Sequence, residues 1–157
     1  MRKRWLAGAL LCALALASFA AKSKDEGIKV VDAAWLKAIK ANDVEGLVAC
    51  YAPDAVMWLP DAPEAPGTKA IRDVYTGLLN TFSVTDASLP NTVYDTSGNL
   101  SAGWGNFVLA LQPRQGGSPV VLKGRFVAVA KKIGGKWLYV GDHASNEPPP
   151  PAPAPPK

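Results

Sequence analysis

Apolar residues recur at Ile28, Val31, Trp35 and Ile39, the three-to-four spacing that lines side chains along one helical stripe, and this predicts a first helix over residues 25–42. Asp43 stands where a carboxylate can accept from the free backbone N–H groups of a new helical turn. Val44, Leu47, Val48 and Tyr51 then share one face, and Ala52-Pro53-Asp54 closes this second helix. The run over residues 55–59 is too short and too apolar for another helix and predicts a strand ended by Pro60. Pro63 and Pro66 make residues 61–66 a loop. Thr68 is placed to cap a third helix with the stripe Ile71, Val74, Tyr75, Leu78 and Leu79; Gly77 inside it costs about 1 kcal/mol relative to alanine.

After Phe82 the period changes from 3.6 to 2. Turn sequences at Asp95-Thr96-Ser97-Gly98-Asn99, Gln115-Gly116-Gly117-Ser118 and Ile133-Gly134-Gly135 divide this second half into four strands, over residues 84–94, 100–112, 120–132 and 136–145. Long hairpin-linked strands after helices form a curved antiparallel sheet that wraps its apolar face around them. The class is α+β, with helices on one side only.

Charge and composition change the picture at both ends. Arg2, Lys3 and Arg4 precede an uncharged apolar run over residues 5–17, and Ser18-Phe19-Ala20 puts small residues where a signal peptidase reads. Residues 1–20 are expected to be a cleaved signal, which makes the protein secreted or periplasmic. Cys12 follows Ala9-Leu10-Leu11 and lacks the small preceding residue of a lipoprotein. The apolar run also falls short of the roughly 20 residues that span a bilayer, so no stable membrane insertion is expected after cleavage. Removing residues 1–20 takes three of the 17 basic residues and none of the 13 acids, and the net charge falls from +4 to +1. Without a basic run or a glycine-rich phosphate loop, nucleic-acid binding loses its electrostatic footprint. Cys50 is then the only thiol, with no intrachain partner; it reads as a small packing residue near a helix end, or as a nucleophile if a base activates it. A domain over residues 21–146 remains. The tail over residues 147–157, nearly all proline and alanine, reads as an extended solvated terminus, with a proline-binding partner or a spacer role as the functional alternative.

The element order, together with Asn42-Asp43, Tyr51-Ala52-Pro53-Asp54-Ala55-Val56, Pro60, Gly67-Thr68-Lys69-Ala70-Ile71-Arg72 and Gly135-Lys136-Trp137, resembles the NTF2-like superfamily. It is most similar to the secreted ketosteroid-isomerase-like and SnoaL-like branch that includes the DUF4440 domains, over residues 28–145. The resemblance implies a cone in which three helices pack inside a curved sheet and enclose a deep apolar pocket, the default ligand site. It does not fix an activity, because this shell hosts isomerases, dehydratases, cyclases, epoxide hydrolases, association domains and immunity proteins.

A steroid isomerase of this family uses a tyrosine on the first helix, an aspartate base just before the proline of the first strand, and a neutral acid on a late strand. The resemblance places Trp35, Leu59 and Val127 at these positions, and none supplies the needed group. Tyr75 matches a pocket tyrosine of the isomerases and also reads as a core residue with a satisfied hydroxyl. If Val127 faces the pocket, strand alternation sends Arg125 and Val129 inward as well; the register that turns Val140 inward also turns Asp142 inward. Arg125 and Asp142 are then expected to pair, since an unpartnered buried arginine is costly. The pair reads either as a polar floor for an anionic or carbonyl ligand, with Asp142 as acid or base, or as an ion pair at the sheet rim. His143 and Ser145 share the opposite face, where this superfamily often dimerises, and a direct Asp142–His143 dyad is not expected. Asp61 and Glu64 read as solvated loop charges.

The expected pocket comprises Trp35, Met57, Leu59, Tyr75, Val127, Val129 and Val140, with Arg125 and Asp142 as the catalytic candidates and neither metal nor cofactor. The leading expectation is a domain that binds a small, mostly apolar molecule in its cone, with catalysis left open. One alternative is a non-catalytic dimerisation or protein-interaction module, its pocket filled by side chains and its outer sheet face forming a homodimer. Another is an isomerase, lyase or hydrolase built on Arg125 and Asp142.

Overall fold

The first helical stripe becomes α1 (Ile28–Lys40), which buries Ile28, Val31 and Ile39 against the sheet. The computed structural model describes residues 27–147, so the expected signal over residues 1–20 and nearly all of the proline-rich tail lie outside the described residues. Asp43 caps α2 (Val44–Val48) as expected, its carboxylate accepting from the Gly46 N–H at 2.9 Å.

That helix ends earlier than its periodicity implies. Tyr51 opens β1 (Tyr51–Trp58) rather than closing α2. The reason is non-local: Tyr51 pairs in parallel with Tyr139, and the Tyr139 N–H donates to the Cys50 carbonyl at 2.8 Å. A sheet partner far along the chain overrides local spacing. Pro53 is tolerated because the ladder is irregular between Tyr51 and Val56.

The short β2 (Ala65–Pro66) leads directly into α3 (Gly67–Thr81). Thr68 does not cap this helix. Pro66 holds the capping position with no side-chain bond, and Gly67, at φ 72°, makes the turn from strand to helix. The single strand expected over residues 84–94 is two, β3 (Phe82–Ser88) and β4 (Val93–Ser97), because Pro90 lacks an N–H and Asn91 takes φ 56°. Both pair with β5 (Leu100–Pro113), β3 along its second half and β4 along its first. β6 (Val120–Ile133) and β7 (Lys136–Asn146) complete the sheet through a two-residue turn, Gly134-Gly135, both at positive φ.

The strand order is β2-β1-β7-β6-β5-β3, with β4 also on β5. The sheet is curved and unclosed, and it is mixed rather than wholly antiparallel because β1 runs parallel to β7. The core lies between its inner face and the helices, with Ile28, Ile39, Leu47, Met57 and Ile71 fully buried.

Register decides what faces inward. On β6 the inward residues are Phe126, Ala128 and Ala130, so Arg125 and Val127 stand on the outer face. On β7 one residue is extra: Ala130 lies opposite Tyr139 and Val129 opposite Gly141, leaving Val140 as a bulge. Tyr139 and Asp142, three apart, therefore share the inner face.

Candidate functional site

Four elements aim polar groups into one region. From α1 comes Trp35, whose indole N–H donates to the Tyr75 hydroxyl at 2.7 Å. Tyr75, on α3, lies 2.7 Å from the hydroxyl of Tyr51 on β1, and Tyr51 donates to Asp142 Oδ2 on β7 at 2.7 Å. An indole N–H only donates and an ionised carboxylate only accepts, so with Asp142 ionised the direction runs Trp35 to Tyr75 to Tyr51 to Asp142.

A second acid lies close by. Asp32, three residues before Trp35 on α1, is 2% exposed, and Tyr139 donates to its Oδ1 at 2.5 Å. Its Oδ2 is buried without a hydrogen-bond partner among the described residues. The rings of Tyr51 and Tyr139 pack at 5.1 Å between centroids, so the two carboxyls are held by neighbouring tyrosines.

These surroundings shift the titrations. Burial pushes Asp142 up to about 6, partly opposed by the Tyr51 hydrogen bond and reinforced by the charge of Asp32, while His143 acts weakly the other way. Burial raises Asp32 as well, opposed by hydrogen bonding from the hydroxyls of Tyr139 and nearby Tyr94. Tyr51 and Tyr139 are held well above the usual phenol range by burial first and neighbouring acids second. Burial, with help from Asp32, lifts the Cys50 thiol to about 11, and its Sγ contacts the Gly46 carbonyl oxygen at 3.4 Å, so this thiol packs and does not attack.

Asp32, Trp35, Tyr75, Tyr139 and Asp142 line a cavity of about 360 Å³ inside the cone, and Tyr51 stands behind this lining. Its walls are otherwise apolar, with Met57, Leu59, Val74, Leu78, Phe107 and Phe126 among them, and no lysine, arginine or histidine lines it among the described residues. Asp142 lines the cavity, and Tyr51 engages only its Oδ2, which leaves Oδ1 as an acceptor for an occupant. The described residues contain no group of three His, Cys, Asp or Glu side chains placed to hold a metal ion.

Of the residues singled out from sequence, Trp35, Met57, Leu59, Tyr75 and Asp142 line this cavity. Arg125 does not: it is exposed on the outer face, opposite Asn106 and Ser145, and Asp142 bonds to Tyr51 in its place. Val127, 52% exposed, and half-buried Val129 also face outward. Alternation counted from Val127 as the inward anchor reverses the parity of the whole strand. Val140, the bulge residue, packs against the core without lining the cavity. Trp58 is exposed and does not line the cavity; its indole N–H donates to Glu64 at 2.8 Å.

The residues that sequence reasoning missed are Asp32, Tyr51 and Tyr139. Asp32 carried a signal, since a lone acid among Ile28, Val31, Trp35 and Ile39 interrupts an otherwise apolar stripe. Tyr51 was legible as apolar, but its spacing put it at a helix end. Tyr139 could be turned inward together with Asp142 only by knowing of the bulge.

Comparison with known proteins places this geometry in a family. No curated protein matches the chain. Solved structures do. A ketosteroid isomerase-like protein from Erwinia carotovora atroseptica is 20% identical with a TM-score of 0.68, covering 78% of this chain and 95% of its own. An NTF2-like superfamily protein from Salmonella enterica serovar Typhimurium is 21% identical with a TM-score of 0.69, over 80% and 92%. An NTF2-like protein of unknown function from Pseudomonas putida is 20% identical with a TM-score of 0.62, over 75% and 82%. At these identities the likeness is one of fold. The sequence itself matches the family description over most of the described chain: residues 33–140 fit the SnoaL-like domain, and the protein belongs to that family.

Proposed function

We propose that this domain binds a small, mostly apolar molecule in its cone, with Asp142 as the polar contact that orients it. The observation that carries this reading is the cavity itself: about 360 Å³, apolar-walled, with one carboxylate oxygen left free by its tyrosine partner. Pockets of this size with few, fixed polar groups are the usual form of a small-molecule site. The apolar run after Arg2, Lys3 and Arg4 supports placing that ligand outside the cytoplasm, in the periplasm or beyond it. Native mass spectrometry of the purified protein should retain a small molecule, or a thermal-shift screen of apolar compounds should raise the melting temperature. A protein that arrives empty and responds to no compound would remove the reading.

Catalysis by an isomerase, lyase or hydrolase rests, within this reading, on Asp142 without Arg125. A carboxyl near 6 is partly ionised close to neutrality, as general acid–base work requires. Any turnover found should be lost in Asp142→Asn, and its survival there would take Asp142 out of the chemistry.

A second reading, self-association through the outer sheet face, has its own observation. Val93, Trp104, Val127, His143 and Trp58 are register partners across β4, β5, β6, β7 and β1, and all five are exposed. An apolar band of this kind marks interaction surfaces. Analytical ultracentrifugation should find a dimer that Trp104→Glu converts to a folded monomer; a wild-type monomer at high concentration would count against it.

A further inference from the structure

Two acids and no base line the cavity. Asp32 is 2% exposed, and Asp142 lines the same cavity close enough that the charge of Asp32 acts on it. A buried carboxylate without a counter-charge costs several kcal/mol, and natural sites supply that charge from a side chain, a metal or a ligand. The first is missing among the described residues that line the cavity.

The hydrogen bonds say which role each carboxyl has left to play. Tyr51 donates to one oxygen of Asp142, and Tyr139 to one oxygen of Asp32. Asp142 lines the cavity with Oδ1 not engaged by Tyr51, and Asp32 Oδ2 is buried without a hydrogen-bond partner among the described residues. A ligand carbonyl, itself only an acceptor, would meet an acceptor when Asp142 is ionised. An alcohol could donate one bond but would leave the charge uncompensated. An ammonium group donates and compensates at once, and Trp35, Tyr75, Phe107 and Phe126 give the cavity an aromatic lining for the hydrocarbon body of such a ligand.

We infer that the ligand of this cavity is an apolar amine bound as its cation, with the ammonium on Asp142 Oδ1 in the field of Asp32 and the hydrocarbon body against the aromatic walls. The inference rests on the ligand-binding reading above and names its chemical class. It assigns separate parts to the two acids: Asp142 makes the contact, and Asp32 adds charge from behind it.

The test uses the full chain and three probes that share one ring system: 1-naphthylmethylamine, 1-naphthylmethanol and 1-naphthoic acid. Affinities are measured by calorimetry at about pH 8, above the Asp142 titration at about 6. The amine should bind about tenfold or more tightly than the alcohol, as a charge-assisted hydrogen bond implies, and the acid should not bind. Asp142→Asn, close in shape to the native residue, should collapse the amine preference to near parity, and Asp32→Asn should reduce it by a smaller factor. If alcohol and amine bind equally, the amine assignment is overturned while the apolar pocket stands. If none of the three binds at millimolar concentration while the thermal-shift screen finds an apolar ligand, the amine assignment falls and the pocket stands; if the screen also finds nothing, both fall. If Asp142→Asn folds and keeps the full preference, the ammonium is not on Asp142 and the inference is wrong. Should Asp142→Asn fail to fold, the ranking of the three probes on the wild-type chain still decides.

Discussion

Strands β6 and β7 are neighbours, paired along ten register partners, yet they treat the alternation rule differently. β6 keeps it without a break, so every second residue from Phe126 to Ala130 is buried and Arg125 and Val127 are sent outside. β7 breaks it once, at Val140, and so brings Tyr139 and Asp142 to the same face. The regular strand contributes wall, and the irregular one contributes both the carboxylate of Asp142 and the hydroxyl that holds Asp32. A single inserted residue decides where this pocket has its polar groups.

The largest effect should come from setting one face of β6 against the other. Ala128 is 2% exposed and opposite Asp142, so Ala128→Asp would bury a third carboxylate with no counter-charge. The loss should exceed about 3 kcal/mol and leave little folded protein. Val127→Asp, one residue away on the outer face, should keep the fold with a loss within about 0.5 kcal/mol. Urea melts of the two variants give the comparison directly, and equal losses would mean that the faces are misassigned.

A smaller effect separates the strands by pH. The Asp142 carboxyl titrates at about 6 in the folded protein against an ordinary value of 3.8, so the folded state holds this proton more tightly than the unfolded chain does. The associated stability is fully present below the lower value and is lost as pH rises through the higher one, by up to about 3 kcal/mol. Asp32, also raised, acts in the same sense. Denaturation at a series of pH values should show wild-type stability falling relative to Asp142→Asn between about pH 4 and 6. Parallel curves would show that the bulge does not bury this carboxyl.

Tyr51→Phe tests the chain of hydroxyls. It removes the donor to Asp142 and the partner of Tyr75 while keeping the ring that packs on Tyr139. A cost of about 1 to 3 kcal/mol is expected, with the Asp142 titration moving further up because its favourable hydrogen bond is gone. Carboxyl chemical shifts followed by NMR would register that movement, and an unchanged midpoint would show that Tyr51 does not tune the acid.

How much of this site the sequence displays is a matter of range. The stripes of α1 and α3 are local periodicities, and the Asp43 cap is a local bond, so all three were legible. The change from helix to strand at Tyr51 depends on Tyr139, on the far side of the sheet in sequence, and no local signal carries it. Alternation gives the relative phase within a strand but not its absolute sense. Choosing Val127 as the inward residue therefore misplaces Arg125 and Val129 with it. Asp142 turns inward in an unbroken strand through Val140 only by assumption, whereas the bulge at Val140 is what lets it share the inner face with Tyr139.

Arg125→Gln should have the smallest effect of all, and it is the most direct check on how the two strands divide the work. As the partner of a buried Asp142, this arginine would be costly to remove, by about 3 to 5 kcal/mol for a buried pair broken on one side. On the outer face, between Asn106 and Ser145, it has water for its charge, and the change should stay within about 0.5 kcal/mol. The titration of Asp142 should not move either, because Arg125 is not among the groups that set it. A stability loss together with a rise in that titration would place the guanidinium beside the carboxylate, and β6 would then supply chemistry to the cone as well as wall.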